Sequence, residues 1–262
     1  PLGRARREVD ADGADLRAMK VALFVPCYVD QLYPQVARAT LAVLEARGLT
    51  VAFPMEQTCC GQPMANAGCE TDARATEERF VRTFAEYDAI VAPSGSCVHH
   101  VRHHFDQLPQ TDAVRRVRAR THELCEFLLT LPDVAPPPFP FRVGVHVGCH
   151  ALRGLRQGSP SELGPPQDGP MQQLLRRMPG IQLVPLDRAD ECCGFGGSFA
   201  VDEAAISARM GSDRVADHRR HGAEVLVSAD MSCLMHLEGI IRRQATPLPV
   251  MHVAQLLNGE RP

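Results

Sequence analysis

Two copies of one cysteine arrangement constrain this chain more than any other feature. Cys27, the triplet Cys59-Cys60-Gly61 and Cys97 recur in the same order as Cys149, Cys192-Cys193-Gly194 and Cys233. A repeat on this scale predicts two related structural units, one per copy, that differ by insertions of loop size. Between the copies lies Val134-Ala135-Pro136-Pro137-Pro138-Phe139-Pro140, whose four prolines exclude both helix and central strand. The expected division is a polar tail over 1–18, a first unit over 19–133, a linker over 134–140 and a second unit over 141–262.

The residues around each cysteine indicate α/β units. Met19 to Pro26 is a short continuous apolar run of the kind a buried parallel strand shows, and it ends at Cys27. Leu32, Val36, Ala39 and Val43 then recur at helical spacing, Gly48 is placed to end that helix, and Leu49 to Pro54 reads as a second strand leading to the Cys-Cys-Gly turn. Ala73, Thr76, Phe80 and Phe84 mark a further helix, and Asp88 to Pro93 a third strand that delivers Cys97. The second half repeats the order, with Phe141 to Val147 before Cys149, Ile181 to Leu186 before Cys192 and Ala223 to Ala229 before Cys233. This predicts two tandem Rossmann-like units with parallel sheets and the cysteines at the carboxyl ends of the strands. Strand ends of one polarity share one edge of a parallel sheet, so cysteines far apart in sequence converge there.

Ten cysteines in a chain expected to be cytoplasmic are not a disulfide framework, because that compartment keeps thiols reduced; metal binding or redox chemistry remains. The cytoplasmic expectation rests on the lack of any apolar run near the ~20 residues of a membrane-spanning helix and of a hydrophobic signal core before Met19. Nucleic acid is not an expected partner: the net charge is −3, Lys20 is the only lysine, and the arginines are scattered among acids. Four thiolates per half, Cys27, Cys59, Cys60 and Cys97 or Cys149, Cys192, Cys193 and Cys233, suit either zinc or an iron–sulfur cluster. Structural zinc sites favour two close Cys-x-x-Cys knuckles; here one adjacent pair and two distant single cysteines favour a larger inorganic body. Gly61 and Gly194 remove a side chain beside the pair and let backbone N–H groups approach sulfur.

At VPCYVDQLYP (25–34), CCGQPMANAG (59–68), PSGSC (93–97), GCHALR (148–153), ECCGFGGSF (191–199) and SADMSCL (228–234) the sequence resembles the cysteine-rich, Cys-Cys-Gly domain family, and within it the branch that serves lactate utilisation. The resemblance covers Met19 to Leu257 and extends to subunits of heterodisulfide reductase and glycolate oxidase. It implies an electron-carrying iron–sulfur component of a cytoplasmic complex that oxidises L-lactate with two partner proteins. The full family pattern ends in Cys-x-x-Cys, whereas Ser94 and Asp230 stand three residues before Cys97 and Cys233. The expectation is therefore one ordinary [4Fe-4S] cluster per unit, with Ser94 and Asp230 as outside candidates for oxygen ligation. Zinc at one site, in a redox-silent scaffold, is the first alternative; a thiol–disulfide oxidoreductase like heterodisulfide reductase is the second.

Other residues carry weaker signals. Cys69 and Cys125 belong to neither repeat and read as structural, Cys125 within the helical pattern of Leu124, Phe127 and Leu128. His99, His100, His103 and His104 pair at i and i+4 and read first as a hydrated helix surface, second as metal ligands. His150 follows Cys149 directly and is a candidate to hydrogen-bond cluster sulfur. His146, inside an apolar strand, reads as a satisfied core histidine. The loop Gly194-Phe195-Gly196-Gly197-Ser198 lacks the spacing of a dinucleotide fingerprint and the lysine of a nucleotide-binding loop, so it is assigned to the metal site.

Overall fold

The computed structural model describes residues 18–244 and 246–262. The tail expected over 1–18 lies, but for Ala18, outside the described residues. The first half runs β1 (Val21–Leu23), α1 (Cys27–Leu32), α2 (Pro34–Glu45), β2 (Val51–Ala52), α3 (Gln62–Asn66), α4 (Glu70–Phe84), β3 (Ala89–Ala92), α5 (Gly95–His104), α6 (Asp112–Arg120), β4 (Thr121–Glu123) and α7 (Leu124–Leu129). The second runs β5 (Arg142–His146), a π-helical turn over His150–Gly154, α8 (Pro170–Leu175), β6 (Gln182–Leu183), α9 (Phe199–Asp202), α10 (Ala204–Arg220), β7 (Val225–Ser228), α11 (Met231–Arg242), β8 (Val250–His252) and α12 (Val253–Leu257).

Each half builds a four-stranded parallel sheet, in the orders β2-β1-β3-β4 and β6-β5-β7-β8. The register is set by Val21 opposite Val51 and Ala89 in the first sheet, and by Val143 opposite Leu183 and Val225 in the second. The fold class read from the sequence is the one observed. Two details differ. The helix expected to begin at Leu32 is broken at Tyr33, because Pro34 has no N–H to continue α1 and instead opens α2; Leu32 is left 57% exposed. A fourth strand in each sheet, β4 and β8, had no signal, since three residues are too few to show alternation. Both strands feed straight into a capping box, Glu123 with Glu126 at α7 and His252 with Gln255 at α12.

The repeats pack as pseudo-twofold mates. α2 lies against α12 and α7 against α8, and these helices cover the facing sides of the two sheets. One continuous core results, joining Val21, Val43, Val91 and Leu128 to Val143, Val145, Val227 and Leu256. Residues 134–140 form no helix or strand, yet Phe139 is fully buried in this core, so the proline segment is packed down and not suspended between halves. At the symmetry axis Ser94 and Asp230, the same position of the two repeats, pair with each other in an antiparallel bridge. Among the described residues no helix is long and apolar enough to cross a membrane.

Candidate metal centres

The topology brings each set of four cysteines together. Cys27 opens α1 directly after β1, and Cys97 and Cys233 sit in the first turns of α5 and α11, directly after β3 and β7. Cys149 follows β5, and the two adjacent pairs ride on the longer loops after β2 and β6. Within each half the sulfurs form a chain of hydrogen-bonded contacts in one order: Cys27 to Cys59 at 3.7 Å, Cys59 to Cys60 and Cys60 to Cys97; then Cys149 to Cys192, Cys192 to Cys193 and Cys193 to Cys233. All ten cysteines are free. The second member of each pair and the helix cysteine are buried, while the first member and the leading cysteine are half-buried, in both halves alike.

The eight sulfurs face one cleft between the halves, enclosing about 840 Å³ with its open mouth. Its walls are the two Cys-Cys-Gly turns, and its floor is formed by Ser94, Ser96 and Asp230 at the N-termini of α5 and α11. Tyr28 and Phe195 meet edge to face across it at 6.0 Å between ring centres, and Gly196 and Gly197 complete the rim. The glycine-rich loop therefore belongs to the cysteine cleft, with Phe195 N–H donating to Cys193 Sγ at 3.4 Å. Sequence reading placed one site in each half; that both open into a shared cleft follows from how the halves dock.

The electrostatics favour anionic sulfur at one cysteine of each set, Cys59 and Cys192. Hydrogen bonds from Cys27 and Cys60 hold the Cys59 thiol down at about 3 against the effect of burial, and those from Cys149 and Cys193 hold Cys192 at about 2. Their donors are pushed up as thiols, first because they give those hydrogen bonds and then by burial. Backbone donors add to this: Gly61 N–H reaches Cys59 Sγ at 3.5 Å, and Gly194 N–H reaches Cys192 Sγ at 3.3 Å.

Both turn glycines take left-handed backbone, with φ of +96° at Gly61 and +90° at Gly194. A Cβ at Gly194 would stand 2.6 Å from the Ser207 carbonyl oxygen and 2.8 Å from Met210 Cβ, both in α10; at Gly61 the nearest atom, Glu77 Cγ, is 3.1 Å away. Gly194→Ala is therefore expected to cost about 2–4 kcal/mol of stability, and Gly61→Ala less. Paired chemical denaturation curves check the order, and equal losses at the two sites would contradict it.

Ser94 and Asp230 are helix caps. Ser94 Oγ accepts from Cys97 N–H at 3.2 Å, and Asp230 Oδ1 accepts from Ser232 N–H at 3.1 Å and from its hydroxyl at 2.6 Å. Asp230 Oδ2 accepts from Ser96 N–H at 2.9 Å and from the Ser94 hydroxyl at 3.3 Å, across the junction. With both carboxylate oxygens so engaged, Asp230 clasps the two halves together, and the two residues named as outside candidates for oxygen ligation border the cleft as helix caps. Ser-x-x-Cys and Asp-x-x-Cys ahead of a helix carried the capping signal in sequence.

The histidine run is not a hydrated face throughout. His103 and His104 are exposed, but His100 is fully buried and hydrogen-bonds Glu77 at 3.1 Å behind the first Cys-Cys-Gly turn. His99 is half-buried; burial first and the neighbouring histidines second lower it to about 4. Its ring centre lies 5.2 Å from that of His150, whose Nδ1 stands 3.9 Å from Cys149 Sγ. Cys125 is in the core as expected, whereas Cys69 is exposed at the start of α4. His146 is buried but not satisfied: its Nδ1 accepts from Arg214 Nε, its Nε2 has no partner among the described residues, and burial lowers it to about 3. Glu77 and Arg214 were not singled out in sequence, although each is a charge on the apolar stripe of its helix, between Ala73 and Phe80 in α4 and beside Gly211 and Val215 in α10.

Among known proteins the description "Cysteine-rich domain" matches this chain twice, over residues 21–102 and 143–238. The chain is 40% identical to lactate utilization protein A of an Exiguobacterium species, over 91% of this chain and 96% of that one. It is 38% identical to lactate utilization protein A of Geobacillus thermodenitrificans, over 92% and 99%. Among solved structures, a hypothetical protein from Helicobacter pylori shares the fold, with a TM-score of 0.53 at 10% identity, over 94% of this chain and 50% of that one. With two matched segments, each holding a converging set of four cysteines, and relatives aligned over nearly their whole length, the chain belongs to the cysteine-rich domain family that includes lactate utilization protein A.

Proposed function

We propose that the chain is an iron–sulfur electron carrier in lactate utilisation, with one cluster held by Cys27, Cys59, Cys60 and Cys97 and another by Cys149, Cys192, Cys193 and Cys233. The observation that carries this reading is the pair of matching four-cysteine chains facing one open cleft. Structural zinc sites are closed, whereas all eight of these sulfurs border one cleft that is open to solvent. The donor set fits: four soft sulfurs per half, depressed thiols at Cys59 and Cys192, and backbone N–H groups directed at them. An iron–sulfur cluster, when bound, supplies one-electron storage and release.

The chain's own residues do the rest. Gly61, Gly194 and Phe195 N–H groups stabilise negative sulfur, Tyr28 and Phe195 narrow the mouth and limit water, and His150 stands beside Cys149 as a donor toward the second set. Because the relatives are named for lactate utilisation, we infer that the chain serves the oxidation of L-lactate together with partner proteins, two in our reading, in the cytoplasm, where free thiols persist. We assign it the carrier's role and not the site of substrate turnover. In our division each set belongs to one repeat, 19–133 or 141–262.

One observation favours a second reading. The 3.7 Å between Cys27 Sγ and Cys59 Sγ is close to the edge of a tetrahedron of sulfurs about 2.3 Å from a central zinc. Metal and acid-labile sulfide analysis of anaerobically purified protein decides between them. About four irons and four sulfides per half, with brown colour, is the expected result; a colourless protein with stoichiometric zinc would overturn the electron-transfer reading.

A further inference from the structure

The two sets of cysteines differ on their inner side. In the first half Phe24, three residues before Cys27, is fully buried in one apolar cluster with Cys60 and Cys97. At the matching place, three residues before Cys149, stands His146. A ring nitrogen of His146 and the sulfurs of Cys193 and Cys233, the counterparts of Cys60 and Cys97, lie within 4.8 Å of one another. An apolar wall in one repeat is thus replaced by an imidazole in the other.

The tautomer of that imidazole is dictated by Arg214, which is itself fully buried. Arg214 Nε donates to His146 Nδ1 at 3.3 Å, and its other N–H groups are engaged by the carbonyls of Val145, Arg188 and Ala189 and the carboxylate of Asp217. A guanidinium only donates, so Nδ1 must be the acceptor of the ring. The single proton of the neutral ring then sits on Nε2, which is buried and without a partner among the described residues. A protonated Nε2 has no lone pair in the ring plane and cannot ligate a metal. To ligate, the ring would need its proton on Nδ1, head to head with the Arg214 N–H.

We propose that His146 is a hydrogen-bond donor, through Nε2–H, to the sulfur of the second centre, held in that tautomer by Arg214, and that this makes the second centre the more easily reduced of the two. The inference rests on the iron–sulfur reading above. An N–H directed at sulfur stabilises the added negative charge of the reduced state and so raises the potential. The first centre, backed by Phe24, lacks this donor. The chain therefore carries a built-in downhill direction, from the first half to the second.

The test is an electron-paramagnetic-resonance redox titration of the full chain, wild type against His146→Phe and His146→Gln. His146→Phe copies the first repeat, whereas glutamine restores an N–H near the place of Nε2. We expect unchanged iron content in all three, two distinguishable potentials in the wild type, a fall of the higher one in His146→Phe and its recovery in His146→Gln. Loss of half the iron in His146→Phe would show a ligand and overturn the inference, as would two unmoved potentials. Absence of iron from the wild type would instead overturn the iron–sulfur reading itself. Nitrogen-15 NMR of metal-free wild-type protein checks the tautomer independently of any variant: a protonated Nε2 and bare Nδ1 are expected, and a protonated Nδ1 refutes the proposal.

Discussion

Cys193→Ser is expected to remove half of the bound iron and leave the other half in place. Cys193 Sγ stands in the middle of the second chain of contacts, touching Cys192 on one side and Cys233 on the other, and it is buried. A serine oxygen is harder, shorter and less readily ionised than a thiolate, so the centre loses a ligand that no neighbour replaces. The first set shares no sulfur with it. Iron and sulfide analysis beside the wild type, with Cys60→Ser as the mirror experiment, checks this. Retention of all iron would remove Cys193 from the ligand set. Loss of all iron from either change would mean that the sulfurs around the common cleft hold a single coupled centre.

Asp230→Ala should be the most destabilising change at the junction. It removes one buried carboxylate that accepts from Ser232 N–H and hydroxyl at the start of α11, and from Ser96 N–H and Ser94 hydroxyl in the other half. Two buried backbone donors are then left without partners, and the expected loss is about 3–5 kcal/mol. For a chain of this size that corresponds to a fall in Tm of about 10 °C. Asp230→Asn keeps one acceptor oxygen and should lose about half as much. Thermal and urea denaturation of metal-free protein read the effect directly. A ligand role would show the opposite pattern, with iron lost and the metal-free stability unmoved.

These expectations separate what was legible in the residues from what was not. The eight cysteines could be identified because a repeated order of a rare residue survives any arrangement of the loops between them. The strands that carry Cys27, Cys97, Cys149 and Cys233 were legible as apolar runs, since strands covered on both faces need no alternation. β4 and β8 were not, because Thr121–Glu123 and Val250–His252 take their strand conformation from neighbours in the sheet and from the capping boxes that follow. His146 was assigned correctly to the interior but wrongly as satisfied, since its Nε2 has no partner among the described residues. A histidine in an apolar strand says that it is buried; which atoms face it depends on Arg214, 68 residues away.

Sequence alone determined that there are two α/β repeats, that the sheets are parallel and that each repeat assembles four sulfurs. Those are consequences of local periodicity and of spacing within one crossover unit. Only the tertiary structure decided that the two sets open into one cleft, that Ser94 and Asp230 join the halves, and that the back of one set is phenylalanine and that of the other is histidine. The physical reason is that these features arise from contacts between residues on different repeats or on distant helices. Their energies depend on distance and direction in space, and no pattern of neighbours along the chain encodes either.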